Sequence, residues 1–300
     1  MQGLKKEILE IPEKAGLCYS KTKKVSLPKK VPYIGMGTSY YSSLTLKYSG
    51  VDIQPEIASE FFNLGKKYSK GVLISQSGET SETFWCKKLF KKRIAIVNNV
   101  NSSIAKNTKV IDILAGKEKF SSTKTYVNTL ITLYNGFGID TRKAIDKIKK
   151  DMKKYDVFGK KAAKIISRKI KGKKVKAFYI IGSGPNAVTA QQSALVLSET
   201  LKYGITGLSL GQYDHGPKET AKDSIVIVLN VKGPSYKRTK KLVTKIKKKG
   251  AEVIYIEEDI KEIISPLVMI MPINFLMYYL TIELRIKNPF IVGSKITKVK

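Results

Sequence analysis

The fold is decided by the stretch Gly71-Val72-Leu73-Ile74-Ser75-Gln76-Ser77-Gly78-Glu79-Thr80. Its first half is a short apolar run with β-branched residues, which is typical of a buried strand. The residues that follow, 81–89, have the pattern of the opening of a helix. A strand, a small polar loop and a helix in this order are the repeating unit of an α/β protein.

The polar half of this stretch predicts an anion site. Ser75, Ser77 and Thr80 supply three hydroxyls, Gln76 an amide and Gly78 a flexible backbone position. Small residues let backbone N–H groups approach an oxyanion, and phosphate is the guest that this chemistry favours. The alternative is a helix N-cap, with Thr80 or Ser81 capping and Glu79 or Glu82 completing a capping box. We favour the anion site because a cap needs only one or two such residues.

Further strands alternate with helices along the N-terminal half. They are predicted at 31–37, 51–56, 93–98 and 110–114, in addition to 72–75. This alternation predicts a doubly wound parallel sheet, in which the carboxyl ends of the strands share one edge. Thr38 and Ser39, which follow the first strand, are therefore expected beside the loop Ser75–Thr80. A third hydroxyl cluster, Ser122-Thr123-Lys124, precedes another helix, with a helix cap again as the alternative and Lys124 solvated.

The pattern restarts in the C-terminal half. Residues 177–184 repeat the strand and the Gly-x-Gly turn of residues 31–37, while 224–229 and 251–256 repeat the third and fourth strands. The prediction is two tandem doubly wound parallel-sheet α/β domains. Their bounds are a lead-in at 1–30, a first domain at 31–140, a connecting helix at 141–176, a second domain at 177–284 and a C-terminal tail at 285–300. The second copy lacks the hydroxyl cluster, so one phosphate site is predicted.

Composition excludes several classes of protein. The formal net charge is +32, but only five of the 56 basic residues are arginine, which favours a solvated surface over specific nucleic-acid binding. Two cysteines without metal-site spacing predict neither a disulfide framework nor a metal site, and favour a reducing, cytoplasmic location. The Gly-x-Gly turns lack the dinucleotide continuation, so no cofactor is expected. The apolar stretch 265–284 is interrupted by prolines and Glu283, which favours a buried helix over a membrane span.

Two residues of the second half are candidates for proton transfer. His215 is the one histidine in the sequence and lies in Asp214-His215-Gly216-Pro217, a turn-rich segment that would present an imidazole from a loop. Glu199 lies near the end of a predicted helix, where partial burial would raise the pKa of a carboxylate towards the range of a general base. The alternatives are a surface histidine and a solvated glutamate.

The chain resembles the sugar isomerase (SIS) family in its doubled pattern and in five motifs: Gly37-Thr38-Ser39, Ser75-Gln76-Ser77-Gly78-Glu79-Thr80, Ser122-Thr123-Lys124, Leu197-Ser198-Glu199 and His215-Gly216-Pro217. Within the family it is similar to the isomerase half of glucosamine-6-phosphate synthase and to archaeal glucosamine-6-phosphate deaminases. The resemblance covers nearly all of residues 30–300 and implies flavodoxin-like SIS domains.

The resemblance also implies a role for each matched residue. The sugar phosphate and nearby hydroxyls would contact the residues Thr38, Ser39, Ser75, Gln76, Ser77, Thr80 and Ser122. Glu199 would move a proton between C1 and C2 of the sugar. His215 would help to open the ring and would come from the partner subunit, which implies a homodimer. Lys295, in the tail, would contact the open-chain sugar.

The sequence departs from the synthase pattern at two points. Val196 stands where the synthase has a lysine three residues before the glutamate, and no glutaminase half precedes residue 30. We therefore expect a stand-alone enzyme acting on a hexose or hexosamine 6-phosphate, with isomerising glucosamine-6-phosphate deaminase as the leading function. The alternatives are an isomerase subunit that works with a separate glutaminase subunit, and a phosphosugar sensor without catalysis.

Overall fold

A computed structural model describes residues 2–172, 175–288 and 290–292. Contacts between Cα atoms divide the chain into two compact units. The first unit contains Glu10–Glu118 and Ser122–Arg142. The second unit contains residues 2–9, Lys119–Ser121 and Lys143–Ile291.

Helices and strands alternate along most of the chain. In chain order they are α1 (Gln2–Leu9), α2 (Ile11–Thr22), β1 (Pro32–Gly35), α3 (Thr38–Tyr48), β2 (Gln54–Ile57), α4 (Ala58–Leu64), β3 (Tyr68–Ser75), α5 (Ser81–Trp85), β4 (Phe90–Val97), β5 (Lys109–Asp112), α6 (Lys124–Gly136), α7 (Arg142–Lys171), β6 (Ala177–Gly182), α8 (Pro185–Leu201), β7 (Thr206–Ser209), α9 (Leu210–Asp214), β8 (Ser224–Val231), α10 (Tyr236–Lys248), β9 (Glu252–Glu258) and α11 (Pro266–Glu283). Three 3-10 turns cover Cys86–Leu89, Pro217–Thr220 and Glu262–Ile264.

The first unit is built on a parallel sheet of five strands in the order β2-β1-β3-β4-β5. The order reverses between β1 and β3, which are hydrogen-bonded neighbours. In doubly wound sheets such a switch point leaves a crevice at the carboxyl ends of the two strands. The chain segments that follow Gly35 and Ser75 therefore emerge side by side, as the sequence predicts.

Helices cover both faces of the first sheet. On one face, α4 and the turn Cys86–Leu89 pack against Ile34 and Leu73. On the opposite face lies α3, because a Cβ at Gly35 would come within 2.8 Å of the backbone of Ser39. The apolar β-branched strands form the layer between these helices, which is why they are buried on both sides.

The second unit contains a parallel sheet of four strands in the order β7-β6-β8-β9. This is the order of the first four strands of the first sheet, with the switch point between β6 and β8. The chain therefore has an α/β fold with two parallel sheets, as its alternating pattern predicts.

The two faces of the second sheet carry different helices. Helices α9 and α10 pack against the face that contains Ile181. Helix α8 covers the opposite face: Gly207 pairs with Ile180, and a Cβ on Gly207 would lie 2.4 Å from the Cα of Gln191. Successive residues of a strand point to opposite faces, so the sheet separates α8 from α9 and α10.

The long apolar stretch forms α11. By length and composition this helix could cross a membrane. However, 78% of this apolar stretch is buried inside the structure. Among its contacts, Phe275 lies against Gly159 of α7, where a Cβ would come within 2.6 Å. The prediction of a buried core helix agrees with this packing.

Several predicted elements differ from those observed. The lead-in contains two helices, α1 and α2, and the second begins beside Pro12, which lacks an N–H and fits only the first turn of a helix. The helix after Thr80 ends at Trp85 and continues as a 3-10 turn. His215 lies in a turn, as predicted: it follows the short helix α9 as its C-cap and precedes the 3-10 turn Pro217–Thr220.

Candidate functional site

The first part of the candidate site is the turn from β1 into α3. Gly37 has φ +50° and lies at the N-cap of α3, a conformation that side chains rarely adopt. Thr38 and Ser39 are the first two residues of the helix, and both are half-buried. Because β1 is short and Gly35 packs tightly on the helix, these two hydroxyl residues are held at the carboxyl edge of the sheet.

The second part is the loop Ser75–Thr80 at the end of β3. The hydroxyls of Ser75 and Thr80 share a hydrogen bond of 3.0 Å, and both side chains are buried. The N–H of Gly78 donates to Ser75 Oγ at 3.1 Å, and the N–H of Glu79 donates to Ser77 Oγ at 3.2 Å. The loop is therefore shaped by its own hydroxyls, while Gln76 is half-buried and Ser77 is exposed.

Gly78 is required by this shape. Its φ is +67°, and a Cβ on it would lie 1.8 Å from the Oγ of Ser102. The N–H of Ile104 also donates to the Gly78 carbonyl at 3.0 Å. The loop thus lies against residues 102–104, which fixes its backbone and leaves its other side to solvent.

Thr80 and Glu79 do not form the helix cap that the alternative assigned to them. Thr80 occupies the N-cap position of α5, but its side chain makes no capping hydrogen bond. Its hydroxyl bonds to Ser75 instead. The carboxylate of Glu79 accepts from the N–H of Ser103 at 2.8 Å rather than completing a capping box. Capping of α5 by Thr80 therefore does not explain why hydroxyl residues are clustered in this loop.

The third hydroxyl cluster is organised around a carboxylate of the chain itself. Glu118 Oε1 accepts hydrogen bonds from the N–H groups of Thr123 (2.9 Å) and Lys124 (2.7 Å) at the start of α6. Glu118 also accepts from the Thr125 hydroxyl, which shares a 2.6 Å hydrogen bond with Ser122 Oγ. This helix start is thus capped by Glu118, a residue that the sequence reasoning did not identify, and Ser122 lies half-buried beside it.

Lys124 is not solvated, contrary to the sequence-based expectation. Its side chain is 1% exposed and its Nζ lies 2.5 Å from the Glu10 carboxylate. The same ammonium donates to the Lys117 carbonyl at 2.9 Å. Lys124 is therefore a structural residue that anchors the start of α6 to the start of α2.

The equivalent edge of the second sheet is filled by Glu262. Its carboxylate oxygens lie 2.8 Å from the positions that a Cβ would take on Gly184, after β6, and on Gly233, after β8. Burial raises the pKa of Glu262. An internal carboxylate thus occupies the second switch point, which agrees with the prediction of one phosphate site.

Glu199 lies in the last turn of α8 and is exposed. The sequence-based prediction that Glu199 is partly buried is therefore wrong for a single copy of the chain. The neighbouring Thr200 is buried, and its hydroxyl lies 3.0 Å from Ser121 Oγ. The end of α8 is thus tied to the segment Lys119–Ser121 within the second unit.

His215 follows α9 and is also exposed. The preceding residue, Asp214, accepts hydrogen bonds from Arg238 (2.8 Å) and Lys218 (3.0 Å). These two cations lower the pKa of Asp214 to about 2. The ion network joins the turn that contains His215 to the first turn of α10.

One copy of the second unit does not bring Glu199 and His215 together. Glu199 is on α8 and His215 follows α9, and these helices cover opposite faces of the sheet. Helix α8 ends where β7 begins, whereas α9 begins where β7 ends. The two helices therefore carry Glu199 and His215 on opposite faces of the same sheet.

The remaining candidates contribute less. Lys295 lies outside the described residues. In the parts of the chain that the structure describes, no three His, Cys, Asp or Glu side chains are grouped so that they could hold a metal ion. Cys18 and Cys86 are both buried and free. Burial raises the pKa of Cys18 to about 11 and that of Cys86 to about 12, so neither is a reactive thiolate at neutral pH.

Several curated proteins are similar to this chain in sequence. No family model matches the chain. The glutamine–fructose-6-phosphate aminotransferase (isomerizing) of Thermococcus kodakarensis is 27% identical over 299 residues, which cover 84% of this chain and 49% of that protein. The enzyme of the same name from Methanothermobacter thermautotrophicus is 27% identical over 296 residues. The chain spans about half the length of the curated relatives it matches.

Solved structures share the fold over nearly the whole chain. Glucosamine-6-phosphate deaminase from Thermotoga maritima aligns with a TM-score of 0.79 at 20% identity and covers 96% of this chain and 95% of its own. The C-terminal domain of glucosamine-fructose-6-phosphate aminotransferase from Francisella tularensis gives 0.75 at 21% identity, with 93% and 96% coverage. The chain is therefore similar in sequence to part of the isomerising aminotransferases, and it has the fold of phosphosugar isomerases and deaminases.

Proposed function

We propose that this chain is a phosphosugar aldose–ketose isomerase, and specifically a glucosamine-6-phosphate deaminase that gives fructose 6-phosphate and ammonia. The observation that carries the proposal is the hydroxyl loop Ser75–Thr80, which lies at the switch point of the first sheet and does not cap a helix. The similarity to enzymes of fructose and glucosamine 6-phosphate supports the choice of sugar. We further propose that the two sheets are the cores of tandem SIS domains with the bounds predicted from the sequence, and that the protein is cytoplasmic.

The first unit would hold the phosphate. Ser39, Gln76 and Ser77 have side chains that are at least partly exposed at the carboxyl edge, where they can donate to phosphate oxygens. One of the hydroxyls of Ser75 and Thr80 donates to the other, so the second hydroxyl can still donate its hydrogen to a phosphate oxygen. Thr38 and Ser122 would complete the contacts to the phosphate and the sugar hydroxyls. Hydrogen bonds to a charged group are about twice as strong as neutral ones.

The carbon chemistry would be carried out by groups of the second unit and the tail. His215 would move the proton between the ring oxygen and the C1 hydroxyl, which opens the ring. Glu199 would take the proton from C2 and return it to C1 through an enolamine. The resulting imine at C2 is hydrolysed by one water, which yields the ketose and ammonia. Lys295 would contact the open-chain sugar.

We also propose that the active form is a homodimer in which His215 comes from the partner subunit. Glu199 and His215 lie on opposite faces of one sheet, so one copy of the second unit does not supply both to the same carbons. Both side chains are exposed and are therefore accessible to a second copy. A twofold axis would create two equivalent sites, each with one residue from each copy.

The function is tested by a ligand and activity screen. Hexose and hexosamine 6-phosphates are tested for an increase in the melting temperature, since a specific ligand stabilises the folded state by mass action. The same compounds are assayed for ammonia release and for aldose–ketose conversion. Stabilisation and ammonia release with glucosamine 6-phosphate are expected. Stabilisation without turnover of any hexose phosphate would favour the phosphosugar sensor instead.

A second candidate is favoured by the sequence relatives, which are aminotransferases. In that case the chain is the isomerase subunit of a glucosamine-6-phosphate synthase and receives ammonia from a separate glutaminase subunit. Such an enzyme would form glucosamine 6-phosphate from fructose 6-phosphate and ammonia faster than it releases ammonia. Measuring both directions with the same preparation distinguishes the two candidates.

Removing two hydroxyls from the loop edge should weaken substrate binding. For the double variant Ser39→Ala/Ser77→Ala we expect the KM for the sugar phosphate to rise at least about 100-fold, because each lost bond to a charged group costs about 1.5–3 kcal/mol. The matched control is Ser20→Ala/Ser69→Ala, which removes two exposed hydroxyls of the same unit, one in α2 and one in the amino-terminal part of β3. An equal KM for both double variants would show that the loop does not hold the phosphate.

A further inference from the structure

A basic cavity lies at the edge of the first sheet opposite the hydroxyl loop. Its volume is about 360 Å³, and it is lined by Ser26, Leu27, Pro28, Lys70, Lys92, Arg93, Ile94 and Lys109. The lysines belong to the amino-terminal parts of β3, β4 and β5. Five residues of strand separate Lys70 from Ser75, which is about 16 Å at the usual rise per residue.

The strand register brings three of these lysines onto one face. Lys70 and Lys92 are direct partners in the ladder between β3 and β4. Lys109 is the partner of Ile94 in the next ladder, and Ile94 points to the same face as Lys92 because side chains alternate along a strand. Three ammonium groups from three neighbouring strands therefore converge on one cavity.

The proximity of these three ammonium groups is electrostatically unfavourable. Like charges at directly paired positions destabilise a sheet. In the described part of the chain, none of these three lysines forms an ion pair with a carboxylate. Arg93 also lines the cavity and adds a fourth positive charge, although its guanidinium donates to the carbonyls of Lys87 and Asn107.

A nearby helix end compensates only part of this charge. Leu27, which lines the cavity, donates its N–H to the carbonyl of Gly136 at the end of α6. The C-terminal end of a helix carries roughly half a negative charge. That is a fraction of the charge of three lysines, so the cavity keeps a positive potential that attracts an anion with several charges.

We propose that this cavity is a binding site for a short oligophosphate, either free or as the phosphate tail of a nucleotide. Three lysines match the charge of two or three linked phosphates, and Lys is a common phosphate ligand as a point charge. The volume is within the range of small-ligand pockets, and Leu27 and Pro28 line it as apolar walls. Because the cavity lies at the amino-terminal edge of the sheet, the site is separate from the proposed sugar-phosphate site and does not depend on that function.

The proposal is tested by titrating the full chain with tripolyphosphate in moderate salt and measuring heat and melting temperature. The variant Lys70→Gln/Lys92→Gln/Lys109→Gln should bind at least about tenfold more weakly than the wild type, because charge-assisted bonds are lost. The matched control Lys241→Gln/Lys245→Gln/Lys248→Gln removes the same charge from exposed positions of α10. It should change the affinity by less than about twofold.

The melting temperature without ligand checks that the first variant folds. Removing the Lys70–Lys92 repulsion should leave that temperature equal or higher at low salt. Equal weakening by both triple variants, or no binding to the wild type, would overturn the proposal. Titrations with ATP and adenosine identify the natural ligand. Equal affinity for tripolyphosphate and ATP indicates that only the phosphates are recognised, whereas tighter binding of ATP indicates a nucleotide. Adenosine binding as tightly as ATP would also overturn the proposal.

Discussion

Replacing Glu199 by glutamine should reduce ammonia release from glucosamine 6-phosphate by roughly a thousandfold, within the usual range for loss of a general base. Glutamine keeps the size and hydrogen bonding of the side chain but cannot accept the proton from C2. Because Glu199 is exposed in the last turn of α8, the substitution should leave folding intact. The measurement is steady-state turnover, with the melting temperature as a check on the fold.

The matched control is Glu13→Gln, which removes a carboxylate whose side chain is 74% exposed and pairs only with the neighbouring Lys14. Its turnover should equal that of the wild type. In Glu199→Gln the KM should change little, because the proposed role of this carboxylate is in the transition state and not in holding the phosphate. Unchanged turnover in Glu199→Gln would remove this residue from the mechanism.

Most of the fold could be predicted because its strands are buried on both faces. Runs such as Val72–Ile74 and Ile225–Leu229 are apolar, and their short length and β-branched residues favour a strand over a buried helix. Strand β7 was missed because Thr206-Gly207-Leu208-Ser209 has one apolar residue and lies at the edge of its sheet. Its conformation is imposed by pairing with β6 and by the close approach of Gly207 to α8, neither of which is visible in the local sequence.

The candidate site could be predicted in part. The hydroxyl loop stands out because its residues are adjacent in the chain and follow a strand that is easily recognised. The sequence did not reveal the roles of Glu118 and Glu262, because these depend on the folded chain. The fold brings Glu118 to the start of α6 and Glu262 to the glycine turns after β6 and β8. For Glu118 one signal was present: an acidic residue a few positions before a hydroxyl-rich helix start can turn back to cap it.

The sequence could not predict that Glu199 and His215 lie on opposite faces of a sheet. The two residues are close in the chain, and short separation offers no warning that a sheet lies between them. The side of the sheet that each helix covers depends on the handedness of successive crossovers and on small residues such as Gly207. The resemblance implies that His215 comes from the partner subunit. Because the two residues lie on opposite faces of one sheet, the proposed mechanism depends on that arrangement.

That claim is tested most directly by subunit complementation. Glu199→Gln and His215→Ala chains are co-expressed with two different tags, and the mixed dimers are isolated. If Glu199 and His215 of each site come from different copies, one of the two sites in a mixed dimer is intact, and about half of the wild-type turnover should return. Both parental dimers should remain at least roughly a hundredfold slower. Mixed dimers no faster than either parent, or the absence of dimers in solution, would contradict the account.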